Sequence, residues 1–368
     1  MANRKPLHID RPLFFSTLLL VVGGLFILAS ASIGISAEKF GTPYFYLARQ
    51  ATGALIGIVS LFVISKIPYK NWKTFALPLL IISVGLLILL FFPQFGTGFG
   101  KGATRWLSIG GISFQPAELI KITFVIYLSA WLATRSKRIR NISEGLLPFL
   151  VITGVVGALL IAQPDVSTFA IIAGASVVLF FVAGGKVTQI LLLILIALIV
   201  VSSVVYFTGY NIDRVLVFLD PGKDPQGAGY QLSQSLIAIG SGGAFGKGFG
   251  LSEQKFSRLP EPISDSIFAV FSEELGLLGN IILLSLFFVF IWRGILIASR
   301  APDKFGQLLA IGIVAIIFIQ TLINIGAFTG LLPLTGTSLP FVSYGRSALI
   351  GVLASVGILF NISRYTRA

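Results

Sequence analysis

The sequence predicts an all-α polytopic membrane protein of about ten transmembrane helices, with a large extracytoplasmic loop between the seventh and eighth. Three observations predict it. Of 368 residues, 55% are hydrophobic and only 11% charged, and the mean hydropathy is +0.95. A soluble domain carries about 25% charged residues. With less than half that share a water-facing surface cannot be covered, which excludes a soluble globular enzyme, a disordered chain and a coiled coil. The apolar residues also gather in runs near the roughly 20 residues that cross a bilayer. Finally, runs such as LLLILIALIVV do not alternate as barrel strands would. Backbone groups in hydrocarbon must be bonded within the segment, so the runs are helices.

The first run, 13–33, follows the tail MANRKPLHIDRP, which lacks a small-residue cleavage site and reads as a retained anchor. The second and third, 45–64 and 75–92, flank a basic stretch, and the third is short. The fourth, 117–134, opens after FQP and ends in the basic tract RSKRIR. The fifth, sixth and seventh, 146–163, 166–183 and 187–207, follow with little between them, and 266–292, 306–327 and 346–360 complete the ten. Lys and Arg mark the cytoplasmic side. With the N-terminus inside, the inner segments 1–12, 65–74, 135–145, 184–186, 293–305 and 361–368 hold sixteen basic residues against three acids, Asp10, Glu144 and Asp303. The outer segments hold eight, nearly balanced by Asp and Glu. Both termini are then cytoplasmic. The net charge of +13 is mostly a topology signal, and no nucleic-acid partner is expected.

The outer segment 208–264 is the long one, rich in Gly, Ser, Pro and both charge signs. Long connections without evident regular structure are usually functional. Its part IAIGSGGAFGKGFG is expected to be re-entrant or to lie at the interface, its glycines packing backbone closely; it fits no dinucleotide or P-loop fingerprint. Two further outer segments, 93–116 and 328–345, are rich in Gly and Pro. Function on the outer face belongs where these three meet. The chain has no Cys and one His, His8 in the tail, which leaves no material for a disulfide, a thiolate nucleophile, a Ser-His-Asp triad or a His-ligated metal centre.

Charges within or beside the spans are therefore the candidates, since an ionisable group in the membrane is costly. They are Glu118, Lys121, Asp165, Asp265, Glu273, Glu274 and Arg346. Glu118 and Lys121, three apart, share a helix face; they are either an internal ion pair or a cavity lining in which Lys121 meets an anion. Arg105, upstream in GATRWLSIGG, is suited to phosphate oxygens. Asp165 in AQPDVST is either a helix N-cap or a carboxylate in a cavity. Asp265 in LPEPISDSIFAVF is either an N-cap or a general base at the membrane surface, flanked by Lys255, Arg258 and Glu261. With no usable His or Cys, a partly buried carboxylate is the best base available.

These residues also carry a resemblance. GATRWLSIGG-ISFQPAELIK, AQPDVST, YQLSQSLIAIGSGGAFGKGFGLSEQKFSRLPE, SEELGLLG and NIGAFTGLLPLTGTSLPFVSYG, in this order over nearly the whole chain, resemble the SEDS family (shape, elongation, division and sporulation), whose members include FtsW, RodA and SpoVE. The resemblance implies one SEDS-type transmembrane domain over 1–368, in the bacterial cytoplasmic membrane. It implies a peptidoglycan glycosyltransferase that polymerises lipid II at the outer face, partnered by a class B penicillin-binding protein and other division or elongation membrane proteins. It places the catalytic carboxylate at Asp265, with Pro260 and Glu261 matching. Arg105, Trp106, Gln115, Glu118 and Lys121 match further motif elements, as do Gln163, Pro164 and Asp165. Arg105, Lys121, Glu118, Lys255, Glu261, Asp165 and Ser343 form the expected substrate-binding set. No cofactor is required, and a divalent cation, Mg or Mn, could share the neutralisation of diphosphate. The chain departs from the family where SYGGSS becomes SYGRSA, placing Arg346 and Ala348, where QPDLGT becomes QPDVST, where QPSE becomes QPAE, and around Asp265 itself. The spelling QK-x-x-x-LPE leans towards FtsW and SpoVE. Two rival functions are a lipid II flippase and a non-catalytic scaffold for the penicillin-binding protein.

Overall fold

The computed structural model describes residues 9–92, 94, 96–97, 105–109, 112–136, 138–208, 212–220, 224, 227–256 and 258–366. His8 lies outside them. Among the described residues ten helices are long and apolar enough to cross a membrane, in the order the sequence predicts. They are α1 (Arg11–Phe40), α2 (Phe45–Lys66), α3 (Tyr69–Leu89), α4 (Pro116–Arg135), a π-helical turn running into α5 (Leu147–Ala162), α6 (Val166–Ala183), α7 (Val187–Thr208), and then α10 (Ile267–Ser299), α11 (Lys304–Phe328) and α12 (Arg346–Ser363).

Local chemistry sets their ends. Asp10 caps α1 by accepting from Leu13 N, and Gly41, left-handed at φ 67°, stops it. Asp303 caps α11 through Gly306 N, and Pro116 opens α4, where a missing N–H is not needed. α3 begins at Tyr69, six residues before its apolar run. There Tyr69 N donates to Asn361 Oδ1 at 2.7 Å and Tyr69 Oη to Asp303 Oδ2 at 2.6 Å, so bonds to α12 and to the α11 cap hold its polar first turns.

The core lies along α4, α11 and α12, whose Phe124, Leu128, Leu308, Leu309, Val356 and Leu359 are fully buried. α2 and α12 pack over Gly53 and Gly57, which admit the Arg346 and Leu353 side chains, and over Gly357, which admits the Leu61 backbone. Leu191, Leu195, Leu198 and Ile199 on α7 remain exposed, as side chains facing lipid should.

Two segments are more ordered than an all-α reading with open loops implies. Segment 93–116 contains a three-stranded antiparallel sheet, β1 (Gly96–Thr97), β2 (Trp106–Ile109) and β3 (Ile112–Phe114), with Leu107 opposite Phe114 and Ser108 opposite Ser113. The β-branched and aromatic residues of WLSI and ISF favour a short hairpin. Segment 208–264 contains α8 (Ile212–Leu219) and α9 (Ala228–Ser241).

The glycine-rich stretch after α9 is built into a break in α10. At Gly276 (φ 62°, ψ −161°) the helix is interrupted. Lys247 N and Gly248 N donate to the carbonyls of Glu273 and Glu274, while Leu277 N and Leu278 N donate to Gly243 O and Ala244 O. Both broken ends are thereby satisfied, as irregular backbone at membrane depth requires. A Cβ on Gly276 would lie 2.3 Å from Gly246 N, and one on Gly246 would lie 2.1 Å from Glu274 O.

Candidate active site

Asp265 is presented by a short irregular segment ahead of α10. Ser266, not Asp265, is the N-cap of that helix, and it makes no side-chain cap bond. The backbone around Asp265 is held from three sides. From α11, Asn324 Nδ2 donates to Asp265 O at 3.0 Å and to Thr337 O at 2.6 Å. From the segment before α12, Ser343 Oγ donates to Ser264 O at 2.5 Å and Tyr344 N to Ile263 O at 2.9 Å. From α9, Gln231 Nε2 donates to Ser266 Oγ, which itself donates to Pro260 O at 2.7 Å. Glu261, left-handed at φ 49°, accepts from Ser264 Oγ at 2.9 Å.

The half-buried carboxylate of Asp265 has no hydrogen-bond partner among the described residues. Gly336 borders it: a Cβ there would lie 3.5 Å from Asp265 Oδ2 and 3.9 Å from the Arg214 guanidinium. Acid and guanidinium thus both border Gly336. Burial pushes the Asp265 carboxyl up from 3.8 to about 7. The neighbouring negative charge of Glu261 adds to this, while Arg214 and then Arg105 act in the opposite direction. The arrangement has the elements of a proton acceptor beside cations: a carboxyl poised near neutrality and two guanidinium groups within electrostatic reach.

The other expected residues lie in several places. Arg105 donates to Pro164 O, so the sheet segment is tied to the turn before α6. Asp165 is the N-cap of α6, accepting from Thr168 N at 3.1 Å, and is 5% exposed. Glu118 and Lys121 form an ion pair of 2.8 Å, and Lys121 Nζ also donates to Gln320 Oε1 at 2.8 Å. Gln320 lies one turn along α11 from Asn324 and donates to Ser338 O. A cavity of about 20 Å³ between α4, α11 and α12 is lined by Glu118, Lys121 and Ser355 among apolar side chains, room for one water. Ser343 spends its hydroxyl on the backbone, accepting from Leu339 N as well as donating to Ser264 O.

Lys255 is placed inside the bundle. It is 2% exposed and pairs with Glu274 at 2.8 Å, with further bonds to Ser30 Oγ and Gly250 O. Ser30 on α1 donates to both Glu274 oxygens. Glu273 is held by Lys247, Ser252 and the N–H groups of Glu253 and Gln254. These two acids join α10, α1 and the loop after α9. Among the described residues no three His, Cys, Asp or Glu side chains gather as metal ligands. Near Asp265, among the described residues, Glu261 offers the second carboxylate.

Sequence reasoning missed Arg214 and Asn324. Arg214 sits on α8, a one-sided amphipathic turn whose Val217 is buried; the pattern IDRVLVFL was the available signal. Asn324 lies within an apolar run and announces itself only as a polar residue there.

Residues 11–368 match the family model described as "Cell cycle protein", FtsW/RodA/SpoVE. "Stage V sporulation protein E" of Bacillus subtilis (strain 168) is 42% identical over 359 residues, 97% of this chain and 98% of that protein. "Probable peptidoglycan glycosyltransferase FtsW" of Geobacter sp. (strain M18) is 38% identical over 358 residues, 97% of each. A solved structure described as "Structural coordination of polymerization and crosslinking by a peptidoglycan synthase complex" contains a similar chain, with a TM-score of 0.81 and 27% identity over 97% of this chain and 98% of that one. This multi-pass membrane protein belongs to the FtsW/RodA/SpoVE family.

Proposed function

We propose that Asp265 is the general base of a glycosyl transfer that polymerises lipid II into β-1,4 glycan strands at the outer face of the cytoplasmic membrane. Peptidoglycan glycosyltransferase activity itself goes with family membership and with the FtsW relatives. The observation that carries the residue assignment is the Asp265 carboxyl, raised to about 7 and separated from Arg214 by a glycine.

The acceptor is a sugar 4-hydroxyl. The donor sugar is bonded through its anomeric carbon to a polyprenyl diphosphate. Asp265 removes the hydroxyl proton as oxygen attacks that carbon, and the bond to diphosphate breaks with inversion from α to β. The products are the glycosidic bond, a protonated Asp265 and a lipid diphosphate. Diphosphate is a good leaving group, so its developing charge needs cations more than an acid. Arg105 and Arg214 supply them. Lys121, committed to Glu118 and Gln320, supports the segment above it from one turn deeper. Asp165 acts through the α6 cap, behind the carbonyl that Arg105 holds. Lys255, Glu261 and Ser343 hold the scaffold of the site.

The partner in this reading is a class B penicillin-binding protein, supported by the likeness to a chain of a peptidoglycan synthase complex. Both termini are cytoplasmic by the distribution of Lys and Arg. The test is polymerisation by purified protein, with and without partner. Wild type yields a glycan ladder and Asp265→Ala yields none. A folded protein that moves lipid II across a bilayer but never joins sugars makes it a flippase instead.

A further inference from the structure

The apolar runs 45–64, 117–134 and 346–360 each carry one basic residue, Arg49, Lys121 and Arg346. Lys121 is neutralised by Glu118. Arg49 and Arg346 are not. All fourteen acids of the chain are among the described residues, and none forms an ion pair with either guanidinium. Arg346 is half-buried and occupies the first position of α12. Helix N–H groups already present positive charge there, so a cation without a counter-anion is disfavoured. An unpaired ionisable group in a span is costly, and its retention points to a ligand.

The neighbouring helix makes room for this side chain. A Cβ on Gly53 would lie 3.1 Å from Arg346 Cγ and 3.3 Å from its Cα and Cβ. Arg49 lies four residues before Gly53, on the same face of α2; it is exposed, with its guanidinium 4.5 Å over the Phe45 ring. Gln50 pins the two helices together, donating to Ser343 O and accepting from Gly345 N, both at 3.1 Å. Gly53 is roughly 12 Å along α2 from its first residue at 1.5 Å per residue, a depth from which long basic side chains snorkel to the headgroup layer. Ser343, in the same segment, bonds Ser264 O beside Asp265.

We infer that Arg346 and Arg49 form a second phosphate site at the α2–α12 seam, which takes the diphosphate of the lipid whose glycosidic bond to phosphate is not cleaved. This rests on the glycosyl-transfer reading. Joining two lipid-linked sugars brings two diphosphates together. One becomes the leaving group near Arg105 and Arg214, and the other keeps its charge throughout and needs cations elsewhere. The usual SYGGSS has a small residue where this chain has Arg346, so the site adds affinity for lipid and leaves the chemistry alone.

The test uses the full chain in lipid nanodiscs and three probes: a polyprenyl diphosphate, inorganic diphosphate, and phosphatidylglycerol. Arg346→Gly and Arg49→Gln each weaken polyprenyl diphosphate binding by about tenfold, the scale of one charge-assisted hydrogen bond. Arg346→Lys binds within a few-fold of wild type, which separates lost charge from lost folding. In polymerisation assays Arg346→Gly raises KM for lipid II and retains kcat. Unchanged affinity and KM in both variants overturns the inference. So does a site that phosphatidylglycerol fills as tightly, or one that inorganic diphosphate fills while the lipid probe does not. The two readings fail separately: polymer made by Asp265→Asn sinks the general base, while lipid binding lost in Arg346→Gly still upholds the second site.

Discussion

Asp265 has its backbone in a clamp and its half-buried carboxylate beside Gly336, and the consequences are specific. A base must be ionised to accept a proton, so kcat/KM rises with pH and reaches half its plateau near the carboxyl's value of about 7; a pH–rate profile checks this. The sign for stability is the reverse. The folded-state value lies above the ordinary 3.8, so the folded chain holds the proton more tightly, and stability falls as pH rises from about 4 to about 7. Asp265→Asn therefore melts no lower than wild type at pH 8 while losing activity. Asn324, fully buried, bonds Asp265 O and Thr337 O. Asn324→Ala leaves those carbonyls without a donor, at roughly 1–3 kcal/mol for a buried group, and lowers kcat more than it raises KM. At this scale the acid was legible because the chain offers few alternatives: one His, no Cys and few charges near spans. Arg214 was not, because it comes near Asp265 across more than fifty residues of chain. Lys255 sits near Asp265 in sequence, yet its side chain turns into the bundle to meet Glu274, a direction that spacing alone does not give.

Among elements, α10 is the instructive one. Its apolar run predicts a continuous span, and the glycine-rich run predicts close backbone packing; the two prove to be halves of one feature, since the loop completes the hydrogen bonds that the break at Gly276 opens. Gly276→Ala forces a side chain into a left-handed backbone at a site without space, and strain of this kind costs about 1–3 kcal/mol before the clash is counted. The expected result is a clear fall in melting temperature in detergent. The buried Lys255–Glu274 pair holds the same loop against α1. Lys255→Ala leaves Glu274 charged and unpaired, a loss of about 3–5 kcal/mol, and adding Glu274→Gln recovers much of it. A double-mutant thermal-stability cycle measures the coupling, and additive losses contradict it. The hairpin within 93–116 was missed because two- to four-residue strands between glycines leave no periodicity to count.

For the whole molecule, ten apolar runs in a chain with 11% charge left little freedom of fold, and the order and number of spans were readable for that reason. The sequence did not reveal how the loops return to the bundle, because those contacts join α9 to α10 and the segment before α12 to Asp265. The absence of native Cys makes topology directly measurable. A single cysteine at Arg138 reacts with impermeant thiol reagent only from the cytoplasmic side, and one at Glu253 only from outside; the opposite pattern reverses the orientation and puts Asp265 on the wrong face for lipid II polymerisation. Purified wild type and Asp265→Asn, matched in melting temperature and supplied with the partner and lipid II, are assayed for glycan strands. Wild type yields a ladder and the variant none if Asp265 is the base. A ladder of equal length and rate from the variant contradicts the general-base role of Asp265.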